Sequence, residues 1–289
     1  MSRRNFRARS ERRRLSFGLQ TVLGLADKGF FIPHRHADLA RRASRERYDA
    51  LARVFAAHDE AFAAFLGEID RLAPDLEAIS GLAPPEPRFE QDWFPRLDAA
   101  ALYTFVRTRR PGRILEIGSG HSTRFLTRAV RDGGLESWIG SIDPKPRADI
   151  SKLAVAVDRR TLQEAGDLAG RELVAGDLLF CDSSHVMMPG TDVDIVLNRI
   201  LPALPAGTYV GFHDIFLPAP YPDAWPFDCY NEQQAIAPLL QGGYEPVFAS
   251  AYTLERFASE IADSVIGRLP IQASARESLL ILRKVCAPA

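Results

Sequence analysis

The hydrophobic pattern of the chain changes character near residue 83. Over residues 44–72 apolar side chains recur mostly three, four and seven positions apart, which predicts a helix with one buried face. They are Leu51, Phe55, Phe62, Phe65, Leu66, Ile69 and Leu72. The segment Ala83-Pro84-Pro85-Glu86-Pro87 cannot continue a helix and is typical of a linker. We therefore predict a basic tail and helical extension over residues 1–82, followed by a second domain over residues 83–289.

From residue 88 onward, short apolar strands alternate with helical segments. The predicted strands cover residues 113–117, 138–142, 155–161, 177–181, 208–212, 245–250 and 278–284, and the predicted helices cover residues 97–107, 125–130, 147–155, 192–201 and 231–240. This alternation indicates crossover connections and a mainly parallel sheet. The predicted fold class is α/β, a Rossmann-like, doubly wound, mainly parallel seven-stranded sheet with an N-terminal helical extension. Such sheets bind ligands at the carboxyl ends of their strands.

The composition is that of an ordinary globular protein. Hydrophobic residues make up 46% of the 289 positions and charged residues 25%, which excludes wholesale disorder. No apolar run is long enough to predict a transmembrane helix. The three cysteines, Cys181, Cys229 and Cys286, are too widely spaced to indicate a disulfide framework or a cysteine zinc site.

The charge is distributed unevenly. Residues 1–14 contain seven Arg and one Glu and so carry +6, which leaves −7 on the remainder because the whole chain carries −1. The acidic remainder argues against nucleic acid as a substrate. The run Ser2-Arg3-Arg4-Asn5-Phe6 resembles a twin-arginine export signal, but the apolar segment at residues 15–25 is weak and does not follow it directly. We expect a cytoplasmic protein whose tail is either disordered or in peripheral contact with an anionic membrane.

A glycine loop follows the first predicted strand, in the run Glu116-Ile117-Gly118-Ser119-Gly120. Glycine lets the backbone turn sharply and lets a ligand approach closely, and the next helix presents free N–H groups. Thr123 stands where a dinucleotide fingerprint has its third glycine or alanine, which disfavours NAD. Glu116 suits a ligand that has a positive centre and no phosphates. The second strand ends at Asp143, whose carboxylate can accept both hydroxyls of a ribose.

This arrangement resembles the class I S-adenosylmethionine (SAM)-dependent methyltransferases, in particular a bacterial, small-molecule O-methyltransferase-like group whose substrates are mostly unassigned. The resemblance rests on the glycine loop and Asp143, and it continues through the segments 176–185, 211–216 and 230–233. It implies that Glu116, Gly118, Ser119 and Gly120 lie beside the methionine part of SAM. It also implies that Asp143 holds the ribose and that Asp182 lines the cofactor site. In the alternative interpretation the two glycines only make a tight strand-to-helix turn.

Polar side chains follow the fourth and fifth predicted strands. Asp182 and His185 come after residues 177–181, and His213 and Asp214 come after residues 208–212. Because the ends of these parallel strands are neighbours, two imidazoles and two carboxylates can converge there. Oxygen and imidazole ligands suit a divalent metal, so Asp182, His213 and Asp214 are candidate ligands. His185 is the candidate general base, because imidazole can take a proton from an attacking hydroxyl; alternatively, it is a hydrogen-bonding residue behind the site.

The spacing is similar to that of the catechol type of metal-dependent O-methyltransferases, which place a lysine base three residues after the first acid. His185 occupies that position here, and His213-Asp214 replaces the usual Asp-Asn pair. Methyltransferases that act on the amino groups of adenine or glutamine have Asn/Asp-Pro-Pro-Tyr after the fourth strand. This chain has Cys181-Asp182-Ser183-Ser184 there, which also argues against methylation of nucleic acid.

The sequence therefore favours transfer of a methyl group from SAM to an oxygen of a small-molecule or sugar-like acceptor, with a divalent metal such as Mg²⁺ as a candidate second cofactor. Two alternatives stay open. One is a metal-dependent hydroxylase on the same fold. The other is a non-catalytic module that uses the arginine-rich tail to dock to a membrane surface or an anionic polymer.

Overall fold

The computed structural model describes residues 3–30, 32–42, 45–79, 83–222 and 230–288. The chain divides into two compact units. The smaller unit comprises Met1–Glu46 and Tyr221–Asp228, and the larger comprises Arg47–Pro220 and Cys229–Ala289. The predicted division between residues 82 and 83 stays a prediction, but the larger unit begins 36 residues earlier, at Arg47.

The smaller unit contains two helices, α1 (Arg3–Val22) and α2 (Ala37–Arg42). The arginine-rich segment is therefore helical, and its contact with an anionic membrane stays a prediction. Within the described ranges, no helix combines the length and the apolar character needed to cross a membrane.

The larger unit begins with three helices: α3 (Asp49–Ala56), α4 (Asp59–Arg71) and α5 (Ala73–Glu77). The single helix predicted over residues 44–72 is wrong, because the chain turns at Ala57 and His58. Phe55 and Phe62 are fully buried on either side of this turn. Their rings both pack against Tyr252, with centroids 5.4 and 5.8 Å away. These helices thus supply part of the core of the larger unit.

Seven strands form one sheet in the order β3-β2-β1-β4-β5-β7-β6. They are β1 (Arg113–Ile117), β2 (Trp138–Ile142), β3 (Ala156–Asp158), β4 (Leu178–Cys181), β5 (Tyr209–Phe212), β6 (Tyr244–Ala249) and β7 (Leu280–Lys284). The first five strands are parallel, and β7 runs antiparallel to β5 and β6. Every residue of β4 is buried, as expected where helices cover both faces of a parallel sheet. The predicted fold class is confirmed.

The remaining helices connect and cover the strands. They are α6 (Arg96–Arg109), α7 (His121–Asp132), α8 (Leu162–Ala165), α9 (Asp192–Ile195), α10 (Leu201–Ala203), α11 (Glu232–Ile236), α12 (Ser250–Arg256), α13 (Ala258–Asp263) and α14 (Val265–Arg268). A π-helical turn, Val196–Ile200, joins α9 to α10, and 3₁₀ turns cover Leu168–Glu172 and Ala237–Gln241.

The helix predicted over residues 147–155 is wrong, because that segment consists of turns and bends. The Asp149 carboxylate accepts hydrogen bonds from the backbone N–H and the hydroxyl of Ser151. Its backbone oxygen accepts two more from the Arg124 guanidinium. Such local side-chain bonds compete with the helical hydrogen-bond pattern.

Candidate functional site

A cleft of about 230 Å³ opens where the sheet reverses its strand order, at the carboxyl ends of β1, β2 and β4. This reversal point is where open α/β sheets bind their ligands. The cleft is lined by Ile117, Gly118, Ser119, Ile142, Asp143, Pro144, Lys145, Arg147, Thr161, Leu162, Gln163, Asp182, Ser183 and Asp192. Four of the predicted cofactor-binding residues are in this set, namely Gly118, Ser119, Asp143 and Asp182.

The glycine loop lies tightly against the end of β4. Gly118 has a φ of +83°, which disfavours other residues. A Cβ atom at this position would lie 1.9 Å from the backbone oxygen of Asp182, well inside van der Waals contact. Gly118 also donates its N–H to the oxygen of Ile142 at 3.1 Å. Only glycine can therefore hold the loop this close to both neighbouring strands. Gly120 lies at the end of the loop, immediately before α7.

Asp143 ties the end of β2 to the glycine loop. Its Oδ2 accepts the backbone N–H of Ser119 at 2.7 Å and the Ser119 hydroxyl at 2.8 Å. Its Oδ1 accepts the N–H of Lys145 at 2.7 Å. The side chain still borders the cleft, and Oδ1 keeps capacity for a further hydrogen bond. The geometry is compatible with the predicted ribose contact, which stays a prediction.

Glu116 lies behind the loop and does not line the cleft. It is fully buried, and it accepts the hydroxyls of Ser122 and Thr123 at 2.6 and 2.5 Å. Burial raises the pKa of Glu116 to about 8, although these two hydrogen bonds oppose the shift. In this position Glu116 holds the first turn of α7 against β1, and its predicted contact with the cofactor stays a prediction.

An acid–histidine cluster lies at the ends of β4 and β5. His185 Nε2 is 3.3 Å from Asp182 Oδ1 and 3.3 Å from Asp214 Oδ2. One ligand atom from each of these three residues lies within 4.8 Å of the others, so the group could hold a metal ion. On the other side of the ring, His185 Nδ1 is 2.8 Å from Glu232 Oε2. Glu232 is itself buried and fixes the orientation of the imidazole.

His213 faces the same carboxylates from a different direction. Its Nε2 is 3.0 Å from Oδ2 of Asp98, a fully buried residue of α6. Its Nδ1 is 3.7 Å from Asp182 Oδ1 and 3.5 Å from Asp214 Oδ1. The compact three-residue group therefore contains His185 in place of the predicted ligand His213. The role of His213 as a ligand stays a prediction.

The acids strongly favour the protonated form of both histidines. Burial alone lowers the pKa of His185, but hydrogen bonds to Asp182 and Glu232 and the charge of Asp214 outweigh it and raise this pKa to about 10. Burial likewise opposes the shift at His213, whose pKa the charges of Asp214 and Asp182 raise well above its ordinary value. A cation bound among these carboxylates would compete directly with the imidazole protons.

Three groups at the site were not predicted from the sequence. Asp98 was missed, although an acid within the apolar run of α6 is a signal for a buried partner. Glu232 lies in the segment 230–233 that carries the resemblance, but its pairing with His185, 47 residues away, follows no local spacing rule. Arg147 follows β2 in a segment that was predicted to be helical, yet it lines the cleft.

Comparison with known proteins agrees with this architecture. Residues 115–215 match a family model described as a methyltransferase domain. The match runs from β1 to the residues after β5 and so includes the glycine loop, Asp143 and the acid–histidine cluster. The match and the fold agree: residues 115–215 are similar to a methyltransferase domain, and they lie on a sheet of the class I type. The enzyme is a SAM-dependent methyltransferase, as the sequence predicted.

The chain has no significant match among curated proteins. Among solved structures, a methyltransferase of Podospora anserina bound to S-adenosylhomocysteine (SAH) is 16% identical over 89% of this chain and 100% of its own, with a TM-score of 0.36. An O-methyltransferase of Bacillus cereus in complex with SAH is 16% identical over 77% and 91%, with a TM-score of 0.37. The MycE methyltransferase of the mycinamycin pathway, in complex with Mg, SAH and mycinamycin VI, is 16% identical over 75% and 54%, with a TM-score of 0.38. At such TM-scores these likenesses carry no information on the acceptor or the metal of this chain.

Proposed function

We propose that this enzyme transfers the methyl group of SAM to a hydroxyl oxygen of a small-molecule or sugar-like acceptor, assisted by a divalent metal. The observation that carries the proposal is the acid–histidine cluster beside the glycine-loop cleft. Asp182 belongs to both, since it lines the cleft and lies 3.3 Å from His185. An acceptor hydroxyl held at the cluster would therefore lie next to a methyl donor held in the cleft.

Residues of this chain position the cofactor and the acceptor, and one of them accepts the proton. SAM provides a methyl group on a positively charged sulfur, and transfer requires that the attacking oxygen lies in line with the carbon–sulfur bond. We propose that Asp143 and the glycine loop hold the cofactor. The oxygen–carbon bond forms as the carbon–sulfur bond breaks, and the hydroxyl proton passes to Nε2 of His185. Glu232 accepts the hydrogen bond from the opposite ring nitrogen and so presents Nε2 to the acceptor.

The cluster also fits a metal, because the carboxylates of Asp182 and Asp214 are suitable ligands for Mg²⁺ or Mn²⁺. We propose Asp182 and Asp214 as its holders. A bound divalent cation would offset the acidic charge that keeps His185 protonated, and it would lower the pKa of an acceptor hydroxyl. A donor set of two carboxylates differs from the two-His, one-carboxylate set of non-haem iron oxygenases. This difference favours methyl transfer over the hydroxylase alternative.

SAM at about 100 times its Kd is expected to stabilise the wild-type protein by about 2.7 kcal/mol, or roughly 5–10 °C in Tm. Asp143→Ala should abolish this shift, because it removes the carboxylate that borders the cleft. The measurement is thermal unfolding with and without SAM. Asp158→Ala is the matched control, since Asp158 ends the neighbouring strand β3 but does not line the cleft. The site assignment is wrong if Asp143→Ala keeps the full shift.

Purified protein equilibrated with Mn²⁺ is expected to retain about one ion per chain, as measured by elemental analysis after gel filtration. Asp214→Asn should reduce this content to near background, because it removes one of the two proposed anionic ligands. Asp194→Asn serves as the control, since the Asp194 carboxylate lies on α9, outside the cluster, and accepts hydrogen bonds from Gly190 and Asn198. Equal metal content in both variants would contradict the proposed ligands.

A further inference from the structure

Arg147 lies between the cofactor cleft and the acid–histidine cluster. Its backbone N–H donates to the oxygen of Ser119 at 3.1 Å, which fixes it against the glycine loop. A Cβ atom on Gly120 would lie 3.4 Å from the Arg147 Cβ, so the two segments are in direct contact. The Arg147 side chain lines the same cleft as Gly118 and Asp143.

Two aromatic residues orient the guanidinium group without neutralising it. The Arg147 Cζ lies 4.6 Å from the ring centroid of Trp93, and the guanidinium hydrogen-bonds to Tyr230. The Tyr230 ring in turn packs against the His185 ring, with 4.6 Å between centroids. A guanidinium that aromatic side chains hold in place at a cleft is suited to an incoming carboxylate.

The cleft is also lined by carboxylates. Asp182 lines the cleft at the end of β4, and Asp192 lines it at the start of α9. An α-amino acid group presents one carboxylate and one ammonium. A cleft lined by both an arginine and aspartates offers a partner for each of these two charges. The methionyl end of SAM is such a group, whereas its adenosine end carries neither charge.

We propose that Arg147 binds the carboxylate of the methionyl end of SAM and so positions the sulfonium relative to the acid–histidine cluster. This assignment rests on the proposed function, because it requires SAM in the glycine-loop cleft. It identifies Arg147 as a cofactor-binding residue that also links the cofactor to the acceptor side through Tyr230 and His185.

Two nucleosides distinguish a contact with the carboxylate of the cofactor from contacts with its adenosine and thioether. SAH has the amino-acid end, whereas 5′-methylthioadenosine keeps the adenosine and the thioether but lacks the carboxylate. In the full chain, Arg147→Gln is expected to weaken SAH binding by about tenfold or more in calorimetry, the loss typical of one charge-assisted hydrogen bond. Its affinity for 5′-methylthioadenosine should stay within about twofold of wild type. Arg171→Gln is the matched control, since Arg171 is an exposed arginine that pairs with Asp167 and does not line the cleft, and both affinities should be retained.

The possible outcomes are distinct. Selective loss of SAH affinity in Arg147→Gln, partly restored in Arg147→Lys, supports the assignment. Equal losses for both nucleosides overturn it, because they indicate that Arg147 only shapes the cleft. Unchanged affinity for both also overturns it and indicates that Arg147 serves the acceptor. If wild-type protein binds neither nucleoside, the proposed function fails together with the assignment, whereas the other negative outcomes leave SAM binding intact.

Discussion

Replacing His185 with asparagine is expected to lower the rate of methyl transfer by about 100-fold to 10,000-fold, the range typical of a lost general base. SAH affinity should change little, because His185 does not line the cleft. Asparagine is the appropriate substitution because His185 has a φ of +59°, a conformation that asparagine tolerates better than most residues. The measurement is SAH release in the presence of an acceptor found by screening phenols, sugars and hydroxy acids with the wild-type enzyme.

His58→Asn is the control for this variant. The His58 ring bonds to the backbone oxygen of Val54 in α3 and packs against Phe62, so its loss should leave the rate near that of wild type. A His185→Asn enzyme that keeps more than about a fifth of the wild-type rate would exclude His185 as the base. Unchanged SAH binding in the same variant would show that the cofactor cleft is still formed.

Gly118→Ala is expected to destabilise the protein by about 3 kcal/mol and to abolish SAH binding, since backbone strain and overpacking each cost about 1–3 kcal/mol. The new methyl group would lie 1.9 Å from the Asp182 backbone oxygen, so the loop or β4 must move. Both lie on the wall of the cofactor cleft. Urea unfolding gives the stability, and calorimetry gives the affinity for SAH.

Gly190→Ala separates the cost of backbone strain from the cost of overpacking. Gly190 has the same φ of +83°, but a Cβ there would have no atom within 4 Å. This variant should therefore show only the backbone cost of about 1–2 kcal/mol and should bind SAH normally. If the two variants lose equal stability and both bind SAH, the close approach of the glycine loop to β4 is not what shapes the cleft.

The sheet was predictable because its strands are short apolar runs separated by helical segments. Residues such as Leu178 to Cys181 are buried on both faces, so their composition alone indicates a central strand. Two predicted helices were wrong because local hydrogen bonds there override the apolar periodicity of the sequence. Asp149 and Ser151 hold a turn that the apolar pattern does not reveal, and His58 bonds to Val54 where one helix was expected.

The positions of the site residues were predictable, but their orientations were not. Asp182, His185, His213 and Asp214 all lie at the strand ends, as expected for a parallel sheet. Which histidine nitrogen faces which carboxylate depends on Glu232 and Asp98, which lie 47 and 115 positions away along the chain from their histidines. Pairings at that distance are set by the packing of α6 and α11 and not by spacing along the chain.

The contacts of Asp98 affect the order in which parts of the enzyme can fold during its synthesis. Besides facing His213, its carboxylate accepts the backbone N–H groups of Ser278 and Leu279, at distances of 2.9–3.0 Å and 3.0 Å. These donors lie 180 and 181 residues later in the chain. A buried carboxylate that lacks its donors is costly, so α6 and His213 cannot settle before these residues are available. During translation, the glycine loop can therefore leave the ribosome long before the catalytic geometry is complete.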